Sequence, residues 1–183
     1  YPYQLTRINA EFNYNEIALE KIPFLLKSLL KKNINNNLIK IRPFPVKKQY
    51  LGNDYSVGLH YLANYLKREF PEIDQEINIS GDSIQENASL VIHTYFLGAS
   101  FFQRLNLDLP FLIFDIFKGE WISQEFMEMY ILLKNSKIIF DDPLKLSEHI
   151  NDIKNEVNKF WYSRKVRSAL QKFKKQFTSE DHI

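Results

Sequence analysis

ASLVIHTYFLGASFFQRLNLDLPFLIFDI, residues 88–116, decides the fold. Ala88–Thr94 is a short apolar run that ends in two polar residues, His93 and Thr94. Gly98 breaks the pattern. Phe101, Phe102, Leu105 and Leu109 then recur at helical spacing, Pro110 stops that helix, and Phe111–Ile116 is a second apolar run. Buried strands alternating with helices imply a parallel sheet, whose ligands bind beyond the carboxyl ends of the strands. The helix after Gly98 aims its uncapped N–H groups into that crevice, which suits a phosphate.

The same alternation extends in both directions. Upstream, Ile17–Lys32 has helical spacing through Ile17, Ile22, Phe24, Leu25 and Leu29, with Pro23 marking a kink or a late start. Leu38–Arg42 reads as a strand closed by Pro43 and Pro45. Ser56 is placed to cap a helix over Val57–Phe70, Glu76–Ile79 is a short strand, and Ser83–Asn87 is a helical turn. Downstream, a loop over Phe117–Ile122 leads to a helix from Ser123 to Leu133 and a strand over Lys137–Phe140. Asp142 and Pro143 form an N-cap and N1 pair opening a helix to about Val157, and Ser163 caps a last helix, Arg164–Phe177. This order predicts a three-layer α/β domain with a mostly parallel sheet. In it Leu90–Thr94, Leu112–Asp115 and Leu38–Arg42 are neighbours or near-neighbours.

Composition sets the bounds. The 183 residues fit a single domain over 1–183, and a 45% hydrophobic fraction with 15% aromatic residues excludes a disordered chain. With 24 Lys and Arg against 22 Asp and Glu, the balance gives no reason to invoke nucleic acid. There is no cysteine, hence no disulfide framework or thiolate metal site, and the four histidines lack metal-site spacing. No apolar run reaches the length of a membrane span and no signal peptide is visible, which fits a cytoplasmic location. The chain opens on Tyr1 and a loop-like segment, YPYQLTRINAEFN. That reads as a fragment or a processed chain lacking the first strand of a doubly wound domain.

Candidate site residues cluster after the apolar runs. His93 and Thr94 end the central strand, where His93 either meets a diphosphate or hydrogen-bonds a carbonyl as a buried strand-end histidine. Gly98 either admits a phosphate to the backbone or serves a turn with positive φ, and Ala99 beside it is small. Ser100 can donate to phosphate or cap the helix. Arg42, at a strand end, suits bidentate phosphate or carboxylate binding, or else a salt bridge on the sheet rim. Lys118, Glu120 and Trp121 lie just past the next strand, in a loop that covers a base or a sugar, or else folds Trp121 onto the core. Asp115 falls inside a strand, where burial against a partner is expected. The expected pocket is lined by Arg42, His93, Gly98 and Ser100. The helix over 164–177 carries Val166, Leu170, Phe173 and Phe177 on one stripe and basic residues opposite. It lies at the inner face of a membrane, or packs against the domain body or another half of the protein.

LGASFFQRLNLDLPFLIF resembles the glycine, serine, helix, proline, strand block in the C-terminal half of GT-B glycosyltransferases. The likeness is closer to one branch, transferases of bacterial surface-carbohydrate loci in a family named from leptospiral genomes. IKIRPFP is similar to that family's strand with an arginine and prolines. YILLKNSKIIFDDPLKLSEHIN resembles its helix, strand and proline-started helix, and NEVNKFWYSRKVRSALQKFKKQF its closing basic helix. Together these cover about residues 36–177, in the right order. The resemblance implies a Rossmann-like, nucleotide-sugar-binding domain of a two-domain enzyme whose N-terminal, acceptor-binding half is absent here. In many GT-B proteins a glutamate stands where this chain has Gln103 and accepts hydrogen bonds from ribose hydroxyls. Gln103 accepts through its carbonyl but carries no charge, and Arg104 beside it is unusual.

The expected function is therefore donor binding in a glycosyltransferase of surface-polysaccharide biosynthesis, with a nucleotide sugar as donor and no cofactor or metal. A non-catalytic α/β module binding a nucleotide or a partner protein is the alternative, with Gln103 marking lost activity. A nucleotide-sugar epimerase would need acid and base carboxylates around the cleft, of which these segments show no clear set.

Overall fold

The structure is a computed structural model, and it describes residues 2–32, 39–41, 64–75, 87–94, 96, 98–120 and 122–178. The chain divides into two compact units, Tyr1–Ser80 and Gly81–Ile183.

The first unit opens with α1, Pro2–Lys31, which replaces the loop expected at the start of the chain and runs on through Pro23. One proline removes one backbone bond. Burial of Ala18, Leu25, Leu26 and Leu29 around it outweighs that loss. Ser28 Oγ donates to the Phe24 carbonyl at 2.8 Å. The Phe24 ring, placed on the apolar stripe by spacing, is instead 47% exposed. Next come β1, Lys40–Ile41, then α2, residues 64–69, closed at Phe70 and Pro71 as expected, then β2, Asp74–Gln75. The Ser56 cap, Arg42 and the expected strand Glu76–Ile79 lie outside the described residues, as does Ser83–Asn87 except Asn87, which is helical.

The second unit is built from β3 (Val91–His93), α3 (Ala99–Asn106), β4 (Phe111–Phe114), α4 (Gln124–Asn135), β5 (Ile139–Phe140), α5 (Pro143–Ile153), α6 (Val157–Trp161) and α7 (Arg164–Thr178). It is an α/β arrangement: a small parallel sheet of order β3-β4-β5, flanked by helices. Val91 pairs with Phe111, His93 with Ile113, and Ile113 with Ile139. The two runs that frame the opening stretch are therefore parallel neighbours, as their sequence predicts.

The third expected neighbour is a correction. Within Leu38–Arg42, Lys40–Ile41 pairs in parallel with Asp74–Gln75 in a separate two-stranded sheet. Lys40 is exposed and Ile41 half-buried, a composition suited to a solvated edge rather than a strand covered on both faces. Ile139–Phe140 takes the place beside β4.

β4 is buried at all four positions. Because side chains alternate across a strand, both its faces are covered. Phe111 and Ile113 join Phe101, Leu105, Tyr130, Leu133, Trp161, Leu170 and Phe173 in one cluster. Leu112 and Phe114, on the other face, are equally inaccessible. Each such side chain contributes roughly 1.5–3 kcal/mol on burial.

The helices that lead back into strands end alike. Asp108 (φ 54°) and Lys137 (φ 60°) occupy the left-handed position after α3 and α4. Leu109 N–H reaches the Arg104 carbonyl at 3.3 Å and Ile138 N–H the Leu133 carbonyl at 3.0 Å, the pattern of a Schellman motif. Asp142 caps α5 as predicted, its carboxylate accepting from Leu144 N–H at 2.8 Å and Lys145 N–H at 3.1 Å. The expected single helix to Val157 is broken at Lys154–Glu156 into α5 and α6.

Candidate phosphate site at the carboxyl end of the sheet

β3 delivers His93 to the end of the sheet, and Thr94, half-buried, follows it. Four residues later Gly98 is the N-cap of α3, and its carbonyl accepts from Phe101 N–H at 3.0 Å and Phe102 N–H at 3.2 Å. As a glycine, Gly98 offers no side chain of its own to cap this helix end. The first-turn amides of α3 at the end of β3 carry the positive end of the helix dipole. Gly98 has φ −75° and ψ 158°, ordinary extended backbone. Positive φ does not explain this glycine.

Ser100, exposed in the first turn of α3, places its Oγ 3.4 Å from His93 Nδ1. The histidine is 7% exposed, with the Phe101 and Phe111 rings edge-on at 6.4 and 5.9 Å. Burial, with the Arg104 charge adding, pulls its pKa down to about 4, so the ring is neutral at neutral pH. His93 Nε2 is inaccessible and, among the described residues, meets no hydrogen-bond partner. An orphan acceptor is tolerated better than an orphan N–H. That favours the tautomer in which Nδ1–H donates to Ser100 Oγ, which leaves the serine hydroxyl proton available to a ligand.

A pH dependence follows. The folded pKa of His93 is below that of the unfolded chain, about 6.5. Its contribution is complete above that value and is lost as pH falls through about 4. Burial, with Lys137 nearby, depresses His149 to about 4 in the same direction, with Asp152 opposing. We expect urea midpoints to fall steadily between pH 6.5 and 4, and the fall to be smaller in His93→Gln. An equal slope in wild type and variant would show that His93 is already accessible to protons.

Arg104 is fully buried on the inner side of α3. Its Nη2 donates to the Ala88 carbonyl at 2.5 Å and its Nε to the Pro110 carbonyl at 3.1 Å. It thereby ties α3 to the segments entering β3 and β4. Burial lowers its pKa to about 10, which leaves it charged. Gln103, in the second turn of α3, is half-buried.

Beyond β4 the chain wraps around one carboxylate. Asp115 accepts from Phe117 N–H at 3.1 Å, Gly119 N–H at 2.6 Å and Tyr130 Oη at 2.6 Å. The buried partner expected for Asp115 is thus its own loop together with α4. Burial, then Asp115, pushes the Tyr130 phenol well above its ordinary value. Lys118 (φ 56°) and Glu120 are exposed on this loop, while Trp121 lies outside the described residues. Among the described glycines, Gly119, with φ 83°, is the one whose backbone conformation demands glycine. A Cβ there would meet the Tyr130 ring at 3.2 Å. The left-handed turn considered at Gly98 is found here.

At the end of β5, Asp141 lies 2.6 Å from Lys134 Nζ. Burial pushes the Asp141 carboxyl up, but the Lys134 hydrogen bond and charge, with Lys118 adding, hold it below its usual value. This cationic pair around Asp141 was missed in the sequence, although Asp141 directly follows an apolar strand. His93, Thr94, Gly98, Ala99 and Ser100 are thus brought to one strand end, with Lys118 and Glu120 on the loop after the next. Arg42 lies outside the described residues. A hollow of about 200 Å³ lined by Asp152, Ile153, Glu156, Lys159 and Phe160 lies between α5 and α6, away from this end. Among the described residues no group of His, Asp or Glu is arranged to hold a metal ion, and no helix is long and apolar enough to cross a membrane.

No curated protein and no solved structure matches the chain. The family model described as LIC12162 family transferase matches residues 1–182. That match covers both units, and it places the protein: the chain belongs to the LIC12162 family of transferases.

Proposed function

We propose that this transferase chain carries the donor-binding, Rossmann-like half of a GT-B-like glycosyltransferase, taking a nucleotide sugar for surface-polysaccharide synthesis. The reading rests on the amino end of α3, with a glycine at its N-cap, beside His93 and Ser100 at the carboxyl end of β3. Backbone amides and a serine hydroxyl suit a phosphate without needing a metal. They stabilise the negative charge that grows on the leaving phosphate when the anomeric carbon passes to an acceptor oxygen. Neutral His93 adds no charge but orients Ser100. On this reading Gln103, one turn along α3, accepts from a ribose hydroxyl, and Lys118 and Glu120 contact sugar or base. Arg42 is assigned to phosphate on the sequence resemblance alone. The acceptor and its base belong to the other half.

Gly98→Val and Ser100→Ala test the reading. The extended backbone at Gly98 accepts valine without strain, so a loss there reports on approach to the amides. Hydrogen bonds to a charged group contribute roughly 1.5–3 kcal/mol, so each variant should bind nucleoside diphosphates about tenfold more weakly in calorimetric titration. Ser123→Ala, at the exposed N-cap of α4, is the control and should leave affinity unchanged. Equal affinities in wild type, Gly98→Val and Ser100→Ala would remove the phosphate site.

A further inference from the structure

The two faces of α7 have different surroundings. Val166, Ala169, Leu170 and Phe173 are in the core. On the opposite side Arg164, Lys165, Lys172 and Lys175 are all exposed, with Ser168 and Gln171 between them. No acidic residue occurs in the 15 residues of the helix. Lys172 and Lys175 lie one turn apart, a spacing at which like charges repel. A face that served only solubility would intersperse both signs.

The amino-terminal end of this face has a further character. Arg167 is paired with Asp108 at 2.5 Å, and its guanidinium lies 5.4 Å from the centre of the Tyr162 ring. Tyr162 is 57% exposed and Leu107, next to Asp108, is 43% exposed. A cationic strip is therefore bordered by an exposed aromatic and an exposed aliphatic side chain. Tyrosine prefers the level of lipid headgroups, where its ring meets apolar matter and its hydroxyl meets water.

We propose that the basic face of α7 adsorbs to an anionic membrane surface, with Tyr162 and Leu107 at headgroup depth. The apolar stripe of α7 is committed to the core, so the helix does not insert by that stripe as a free amphipathic helix would. Adsorption is electrostatic, contributing roughly fivefold in affinity per cation near the surface, and it is screened by salt. The formal charge of the whole chain is only +2. A flat lipid surface that touches only this strip fits that balance better than a nucleic acid, whose binding domains are basic as a whole. The proposal goes beyond the donor site and does not rest on it.

The full chain is sedimented with phosphatidylcholine vesicles, and with vesicles containing about one-third phosphatidylglycerol, at low salt and at about 0.5 M salt. Binding is expected only to the anionic vesicles and only at low salt. The double variant Lys165→Glu/Lys172→Glu should bind at least tenfold more weakly while melting at the wild-type temperature. If it melts lower, Lys165→Gln/Lys172→Gln replaces it, with a loss of about 25-fold expected from two cations. Equal binding to neutral vesicles, unchanged binding in the folded variants, or tighter binding to a random duplex oligonucleotide at the same salt would each overturn the proposal.

Discussion

Asp115→Ala should lower the stability of the chain by about 3–5 kcal/mol, because one buried carboxylate satisfies three donors. Phe117 N–H, Gly119 N–H and the Tyr130 hydroxyl all lose their acceptor. Two of these are backbone groups that water reaches only if the loop opens. Tyr130→Phe removes one bond and one hydroxyl and should cost about 1–2 kcal/mol. Gly119→Val adds a branched side chain where φ is 83° and the Tyr130 ring stands 3.2 Å from the added carbon. It should cost about 2–4 kcal/mol through strain and overlap. Gly119 is therefore unsuited as a neutral control for Gly98. The substitutions act on one network, so Asp115→Ala combined with Gly119→Val should cost less than the two separate losses together. Urea unfolding followed by circular dichroism measures all four. A midpoint for Asp115→Ala within error of wild type would show that the loop stands without its carboxylate.

The run Phe111–Ile116 announces a buried strand because six consecutive positions are apolar or, at Asp115, flanked by apolar residues. Nothing local says that Asp115 will satisfy its own loop, since Tyr130 comes from 15 residues away. Gly98 and Gly119 look alike in sequence. Which one needs left-handed backbone depends on the turn, and the turn depends on packing. Asp108 and Lys137 end two helices in the conformation that glycine favours, so the usual stop signal is missing at both. By contrast Asp142 and Pro143 act through local sterics and hydrogen bonding, and each does what its residue type predicts, whereas α3 ends at Asn106, short of Leu109 and of the stop expected at Pro110. The parallel pairing of β3 with β4 was legible from apolar runs separated by one helix. The partner of Lys40–Ile41 was not, because a two-residue strand carries almost no pattern. At the site, His93, Gly98 and Ser100 were legible as the residues between a strand and a helix. The contact of Ser100 with His93 depends on how the chain turns between them, and spacing does not encode that.

Arg104→Ala should cost about 3–5 kcal/mol, the loss of a fully buried long side chain together with its hydrogen bonds. The Ala88 and Pro110 carbonyls would lose their guanidinium partner. Arg104→Lys should recover little, since a single ammonium on a narrower reach does not reproduce the planar fork that meets two carbonyls at once. Arg104→Met separates charge from packing. It keeps most of the volume and removes the cost of burying a cation. The Ala88 carbonyl loses its guanidinium donor, while the Pro110 carbonyl keeps Val91 N–H, so the loss should be about 1–3 kcal/mol. A purely structural account ends there, but the charge has a second reader. The positive charge on Arg104 is one of the two causes holding His93 near a pKa of about 4, burial being the larger. In Arg104→Met the His93 value should rise while staying below the ordinary 6.5, a change that proton NMR titration of the imidazole resolves in the folded variant. The rise should be modest because the aromatic surroundings of His93 remain. An unchanged His93 titration would mean that the guanidinium field is screened before it reaches the site and that Arg104 serves the fold alone. A shift all the way to the free value would mean instead that His93 had become solvated, which the loss of the tie between α3 and the strand entrances would explain.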